Sequence, residues 1–253
     1  MNRGWLLRHG PRPQASARLF CFPHAGVGGS VYRLWPNGLP QELEVCAIQT
    51  PGREYRLREP ALASIPALVE GLLPELMPHL DRPFAFFGHS MGAVLATEVA
   101  RALLERSGPL PGHLFVSARR PPHLAGPEAP MHLLPDGDFV TEINRRYGGI
   151  PTEVLQQADL MALLLPTLRA DITALETHRP PPRPVLPFPI SAFGGADDRV
   201  TSREHLEAWR GETSSTFRVR VFAGGHFYLV ERRVELLADL SVTLGPLVRA
   251  GAG

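Results

Sequence analysis

No lysine occurs anywhere in the 253 residues, cysteine occurs only twice, and no apolar run approaches the length of a membrane span. Arginine therefore carries the basic charge. The 26 basic residues stand against 25 acidic ones for a net charge of +1, which excludes wholesale electrostatic attraction to nucleic acid or to an anionic membrane. Any charge-based partner has to meet a local patch. The two cysteines, Cys21 and Cys46, each sit inside a short apolar stretch that reads as a core strand, so they are expected as buried thiols rather than a disulfide. Trp5-Leu6-Leu7 ahead of Arg8 and His9 is too short for the apolar region of a secretory signal. These absences together predict a soluble protein in a reducing, cytoplasmic setting.

At 44% hydrophobic content a chain of this length can bury one large core, which predicts a single domain over residues 1–253. Short β-rich runs punctuate it: Leu19 to Phe22, Val45 to Ile48, Phe84 to Phe87, His113 to Ser117, Ile190 to Phe193 and Val219 to Phe222. Helical patterns lie between them, such as Met91 to Arg106, closed by Gly108, and Ser202 to Arg210, where Ser202 is placed to cap the start. Strand and helix in alternation predict an α/β fold, a mainly parallel sheet flanked by helices on both faces. The rhythm breaks between about residue 118 and residue 189, where 13 of the 27 prolines fall and no strand pattern is found. Within that stretch Phe139, Ile143 and Tyr147 recur at helical spacing, and Leu160 to Leu175 forms a second, unusually apolar helical pattern that Pro166 is expected to interrupt. We read residues 124–185 approximately as an inserted helical lid, with Leu164, Leu168 and Ile172 facing the substrate. Pro180-Pro181-Pro182-Arg183-Pro184 is a stiff return to the sheet.

Gly88-His89-Ser90-Met91-Gly92 stands between the strand pattern Phe84-Ala85-Phe86-Phe87 and the helical pattern Ala93-Val94-Leu95-Ala96, the setting of a nucleophile elbow. The glycines two residues before and after Ser90 let strand and helix approach closely around a strained turn. A serine hydroxyl attacks only when a base takes its proton. His226 follows the strand pattern Val219 to Phe222 through Ala223-Gly224-Gly225, where such a base is needed; His89, adjacent to the serine on a sharp turn, reads as a packing residue. The acid that orients the imidazole should follow the preceding strand, and Gly194-Gly195-Ala196-Asp197-Asp198 offers two candidates. The Asp-x-x-Val spacing to Val200 favours Asp197. An oxyanion hole needs two backbone N–H groups, here those of Met91 and of Ala25 in the loop after the first of these strands. The order Ser, Asp, His is that of the α/β-hydrolases.

With these pieces located, the chain resembles the type II thioesterases of polyketide and nonribosomal peptide assembly lines and the medium-chain thioesterases that act with fatty acid synthase. The resemblance rests on Cys21-Phe22-Pro23-His24-Ala25-Gly26, Pro51-Gly52-Arg53-Glu54, Asp81-Arg82-Pro83-Phe84 leading into the elbow, Ser117 to His123, Leu134-Pro135-Asp136, Leu165 to Asp171, and Gly224-Gly225-His226-Phe227. Val27 departs from it, standing where the family usually continues with glycine. The resemblance implies hydrolytic editing, in which stalled or wrongly primed acyl groups are removed from the phosphopantetheine arm of an acyl or peptidyl carrier protein. It also favours Asp198 over Asp197 as the acid, leaving that choice open, and it implies an acidic carrier protein as partner. Arg53, Arg56 and Arg58, with Arg119 and Arg120, fall in loops at the expected active-site end and are candidates for docking it.

The expected reaction runs through an acyl-Ser90 intermediate and requires no metal or redox cofactor. Malonyl-type acyltransferases share Gly-His-Ser-x-Gly, but their base lies nearer the serine, whereas 136 residues separate Ser90 from His226 here. A carboxylesterase or lipase shares all of the triad logic and is the stronger rival. A catalytically inactive fold serving as a binding module of an assembly line is the rival outside enzymes.

Overall fold

Residues 4–124, 129–150 and 152–251 are described by the computed structural model of the chain. Its strands are β1 (Leu6–Arg8), β2 (Ala17–Phe22), β3 (Leu43–Ile48), β4 (Phe84–His89), β5 (His113–Ser117), β6 (Ile190–Gly195) and β7 (Phe217–Phe222). Hydrogen bonding joins them into one sheet in the order β1-β3-β2-β4-β5-β6-β7, parallel throughout except where β1 runs antiparallel to β3. Six of these are the strands read from the sequence. β1 was not anticipated, because three half-buried residues at a sheet edge carry too short a pattern to register.

The parallel register explains why the central strands β2 to β6 are buried at nearly every position and mostly apolar. Cys46, Phe20, Phe86, Leu114 and Ile190 form a row across five strands on one face, and their neighbours Ala47, Cys21, Phe87 and Phe115 form a row on the other. The first row packs under α1 (Ile65–Leu76) and α2 (Met91–Glu105), and residues of both helices share one buried cluster with it. The second is covered by Tyr32, Trp35 and the C-terminal helix. A sheet buried on both faces has no solvent side to place polar residues on, so alternation gives way to continuous hydrophobicity. Both cysteines are buried free thiols.

Between β5 and β6 the chain forms α3 (Asp136–Tyr147), α4 (Thr152–Leu155) and α5 (Ala158–Thr177). The expected lid range includes residues 125–128 and 151, which lie outside the described residues. Met131, Phe139, Ile143 and Ile172 make a small core of their own for this insert, while Ala174 and Leu175 of α5 join the main core beside α2. α5 is continuous through Pro166, contrary to the expected interruption. A proline inside a helix removes only its own N–H bond, here to the carbonyl of Ala162, and both residues are exposed, so water can take that carbonyl. After β6 come α6 (Arg203–Glu207), capped as expected by the Ser202 hydroxyl, then α7 (Tyr228–Glu231) and α8 (Arg233–Ala250). The capped helix is shorter than its pattern, tightening into a 3₁₀ turn from Ala208.

The chain leaves β3 at one side of β2 and re-enters the sheet as β4 on the other, so the winding reverses between β2 and β4. Open parallel sheets place ligand crevices at the C-terminal ends of strands flanking such a reversal. The loop after β2 and the turn after β4 are where the sequence located the oxyanion loop and Ser90.

Phe86 carries much of the core on the α2 face, with its ring against Phe20 at 5.9 Å and Phe22 at 5.2 Å, both edge-to-face. Phe86→Ala is expected to lower stability by about 3–5 kcal/mol, the cost of deleting a buried ring that its neighbours cannot fill, measured by denaturant titration.

Candidate active site

Ser90 has φ 54° and ψ −114°, a conformation that L-residues avoid and that persists only where surrounding structure enforces it. Enforcement comes from both sides. The Ser90 N–H donates to the Ser117 carbonyl at the end of β5, at 2.8 Å. A Cβ on Gly88 would stand 2.2 Å from the Gly92 carbonyl oxygen, and one on Gly92 would stand 2.0 Å from that of Phe22, so neither position tolerates a side chain. Met91 opens α2, and the N–H groups of a helix's first turn have no acceptor within the helix.

The turns after β6 and β7 meet beside this elbow. They approach so closely that a Cβ on Gly195 would lie 2.2 Å from the Gly225 carbonyl oxygen, and the Asp197 N–H donates to the Gly224 carbonyl at 2.9 Å. That contact delivers His226 to the serine: Nε2 lies 3.1 Å from Ser90 Oγ, while Nδ1 donates to Asp198 Oδ2 at 2.9 Å. The other oxygen of Asp198 accepts from the N–H groups of Val200 and Thr201 at 2.9 and 3.2 Å, and its side chain is fully buried. With Nδ1–H committed to the carboxylate, Nε2 is free to accept the hydroxyl proton. Asp197 points elsewhere and is exposed, which corrects the spacing argument for it: the residue that grips the Val200 N–H is Asp198, two positions before rather than three.

Two further imidazoles surround His226. His89 is buried with its ring 5.3 Å from that of His226, and its Nδ1 lies 2.8 Å from the Ser117 hydroxyl, itself 2.6 Å from the Tyr228 hydroxyl. Burial first, and then its neighbours His226 and His24, hold the His89 pKa well below the ordinary histidine value. His24, whose ring lies 5.6 Å from that of His89, is pushed down to about 3, again by burial first and then by His226. Both stay neutral near pH 7 and bring no positive charge to the serine.

Ser90 and His226 open onto a cavity of about 200 Å³ whose far wall is α5. Leu164, Leu168, Ile172 and Leu175 line it together with Ala25 and Tyr147, so the three lid residues singled out in the sequence and the proposed oxyanion loop meet at one cavity. Sequence reasoning missed Tyr147 as a site residue; its ring lies 4.9 Å from that of His226. It also misread Arg53. The expected docking role fails there because the side chain is buried against Asp171 of α5, with Nη1 2.6 Å from Oδ2 and Nη2 2.8 Å from Oδ1, and so presents no charge to a partner's surface. Arg56 is likewise buried, donating to the Gln49 carbonyl and to Glu59 and lying over the Trp5 ring. Arg120 is buried at 8% exposure, which corrects its expected place on a docking surface; it lines a separate cavity together with the half-buried Arg119, and Arg58 is exposed. Asp171 was legible in principle: it falls on the same helical face as Leu168, Ile172 and Leu175, where a charge survives only with a partner.

Fold and constellation define the class, an α/β-hydrolase with serine, histidine and aspartate in hydrogen-bonded series. The chain belongs to the thioesterase domain family, whose model matches residues 17–243. Gramicidin S biosynthesis protein GrsT of Aneurinibacillus migulanus is 41% identical over 248 residues, covering 96% of each chain. Among solved structures, the RedJ thioesterase from the prodiginine biosynthetic pathway in Streptomyces coelicolor is 40% identical with a TM-score of 0.85, over 92% of this chain and 87% of that one. The type II thioesterase BorB from the borrelidin biosynthetic cluster is 36% identical with a TM-score of 0.82, over 94% of each.

His89 titrates differently in the two states, which makes stability pH-dependent. Unfolded, it takes up a proton below about pH 6.5, whereas the folded protein keeps it neutral to much lower pH. Stability is therefore full above that value and falls as pH drops through it, by up to about 1.4 kcal/mol per pH unit from this residue. Urea titrations of the native protein and of His89→Gln between about pH 7.5 and about pH 5.5 check this, and the variant is expected to lose less stability over that interval.

Proposed function

We propose that this thioesterase hydrolyses acyl groups from the phosphopantetheine thiol of carrier proteins, editing stalled or misprimed polyketide or nonribosomal peptide assembly lines. The observation that carries this reading is the serine, with its base at 3.1 Å, set at the floor of an apolar cavity. The lining is mostly apolar, with Leu164, Leu168 and Ile172 facing Ser90 and His226 across it, which suits the hydrocarbon part of an acyl group. The assembly-line setting is supported by the likeness to GrsT, RedJ and BorB.

In the proposed reaction Ser90 Oγ attacks the thioester carbonyl carbon as its proton passes to His226 Nε2. The N–H groups of Met91 and Ala25 stabilise the oxyanion, and Asp198 stabilises the imidazolium. Collapse breaks the C–S bond, and the pantetheine sulfur leaves with the proton from His226. Water then attacks the acyl-serine, giving a proton to His226, and the ester bond breaks to return that proton to Ser90 and release the acid. Carrier docking is assigned to surface other than Arg53, Arg56 and Arg120. Of the five loop arginines, Arg58 and Arg119 are its candidates. Two buried free thiols support a reducing, cytoplasmic location.

The test is release of free acid from acyl-carrier protein and acyl-pantetheine, compared with a simple oxygen ester of the same acyl group. Thioester preference supports the reading, and preference for the oxygen ester overturns it. Ser90→Ala is expected to lose at least about 10⁴-fold in turnover while remaining folded. Asp198→Asn should lose roughly 10⁴-fold and Asp197→Asn little, since only the former holds the imidazole tautomer.

Leu168 touches the cavity from α5 and crowds Gly26, where an added Cβ would stand 2.9 Å from its Cδ1. Leu168→Trp is expected to shorten the accepted acyl chain, read as a drop in kcat/KM that steepens with chain length across a panel of acyl-pantetheines. An unchanged profile would mean that α5 does not bound the acyl group.

A further inference from the structure

Two side chains far apart in sequence, Arg53 and Asp171, are both buried, with 4% and 0% of their side chains exposed, and their hydrogen bonds go to each other and to the backbone of Gly26, Val27 and Pro51 rather than to Ser90, His226 or Asp198. A buried ion pair adds little net stability over apolar residues of similar volume, so its presence calls for another reason. What it holds supplies one. Asp171 Oδ2 accepts from the backbone N–H of Gly26 at 2.7 Å as well as from Arg53, and Arg53 Nη1 donates in turn to the carbonyl of Val27 at 3.2 Å. Gln49, whose amide donates to the Arg53 carbonyl, accepts from the Gly29 N–H at 2.7 Å. The loop after β2 is thus gripped at three backbone groups by side chains outside it. Gly26 is the residue after Ala25, so fixing its N–H fixes the peptide plane that follows the proposed oxyanion donor.

The geometry points to Arg53 and Asp171 as positioning residues for the oxyanion: the pair ties α5 to the loop after β2 and aims the Ala25 N–H at the charge that develops on the carbonyl oxygen. This rests on the thioesterase mechanism proposed above. Because Asp171 shares a helical face with Leu168 and Ile172, the helix that bounds the acyl cavity is the one that sets the donor.

Removing one partner would leave a buried charge and threaten folding, so the informative change is the double variant Arg53→Met/Asp171→Leu, which removes both charges and fills the site with apolar side chains. The comparison variant is Thr167→Val, which unties α5 from the Gly52 carbonyl, a bond of 2.5 Å, without touching Gly26. Both are assayed with acyl-pantetheine for kcat and KM, and for binding of an acyl trifluoromethyl ketone, whose adduct with Ser90 places an oxyanion in the hole, against the product acid, which does not. The expected result for the double variant is a kcat about 10²-fold lower, with KM changed far less. Ketone affinity should fall in step while product affinity is kept. Thr167→Val is expected to retain kcat. A double variant that folds with native kcat overturns the proposal, as does a Thr167→Val loss of equal size, which would make the effect general anchoring of α5. Phosphonylation of Ser90 by a fluorophosphonate is followed in parallel, because its rate also depends on the oxyanion donors. A native protein inert to thioesters but phosphonylated normally would fail the substrate reading alone, and the ratio of native to variant phosphonylation rates would still decide the role of the pair.

Discussion

A backbone conformation that no L-residue prefers, φ 54° at Ser90, is the constraint around which the rest of the structure is arranged. Such strain costs on the order of 1–3 kcal/mol and has to be outweighed by packing on every side. β4 supplies one side and α2 the other, and α2 is buried from Met91 to Leu103, far more than an ordinary surface helix. The glycines are consequences of the same requirement. With carbonyl oxygens of Gly92 and Phe22 already occupying the space where a Cβ would go, strand, turn and helix meet at backbone distance. The strained residue thereby stands at the end of the sheet with its hydroxyl toward the cavity rather than in the core.

α5 is bound unevenly along its length. Its last turns belong to the main core through Ala174 and Leu175, and Asp171 is held by Arg53, but residues nearer its start are open, with Leu163 at 50% exposure. Local opening takes the path of fewest buried contacts. The start of α5 is therefore expected to open before the end carrying Asp171, which stays with the sheet. Leu164 and Leu168 sit one turn apart across that gradient, both on the cavity wall.

Much of this was legible because the strongest signals are local. The six strands are apolar runs bounded by turn residues, and Gly88 to Gly92 declares itself between a strand and a helix. What escaped was set by partners distant in sequence. β1 has only its pairing with Arg8, Leu7 and Leu6 opposite Cys46, Ala47 and Ile48 to define it. Asp197 and Asp198 are equivalent as neighbours on a turn, and only the meeting of that turn with Gly224 and Gly225 turns one outward and one toward His226. Arg53 looked like a surface charge because a charged residue in a loop usually is one. Its burial follows from Asp171, 118 residues away, and the clue lay on the helix rather than in the loop.

Asp198 and Asp171 are both buried carboxylates, and they meet the same requirement by different means. A carboxylate in a low-dielectric interior must find enough donors to replace its water. Asp198 finds two backbone N–H groups and the imidazole, leaving its charge available to stabilise an imidazolium when the proton arrives. Asp171 finds a bidentate guanidinium and one N–H, so its charge is already balanced and adds little repulsion to an oxyanion forming nearby. On the proposed mechanism, an unpaired carboxylate gripping the loop after β2 would oppose the negative charge that develops on the carbonyl oxygen. Arginine at position 53 eases that conflict: the loop is held by a strong acceptor whose charge is balanced within one contact, while on the same mechanism an imidazolium at His226 would face Asp198, a carboxylate held by two backbone N–H groups.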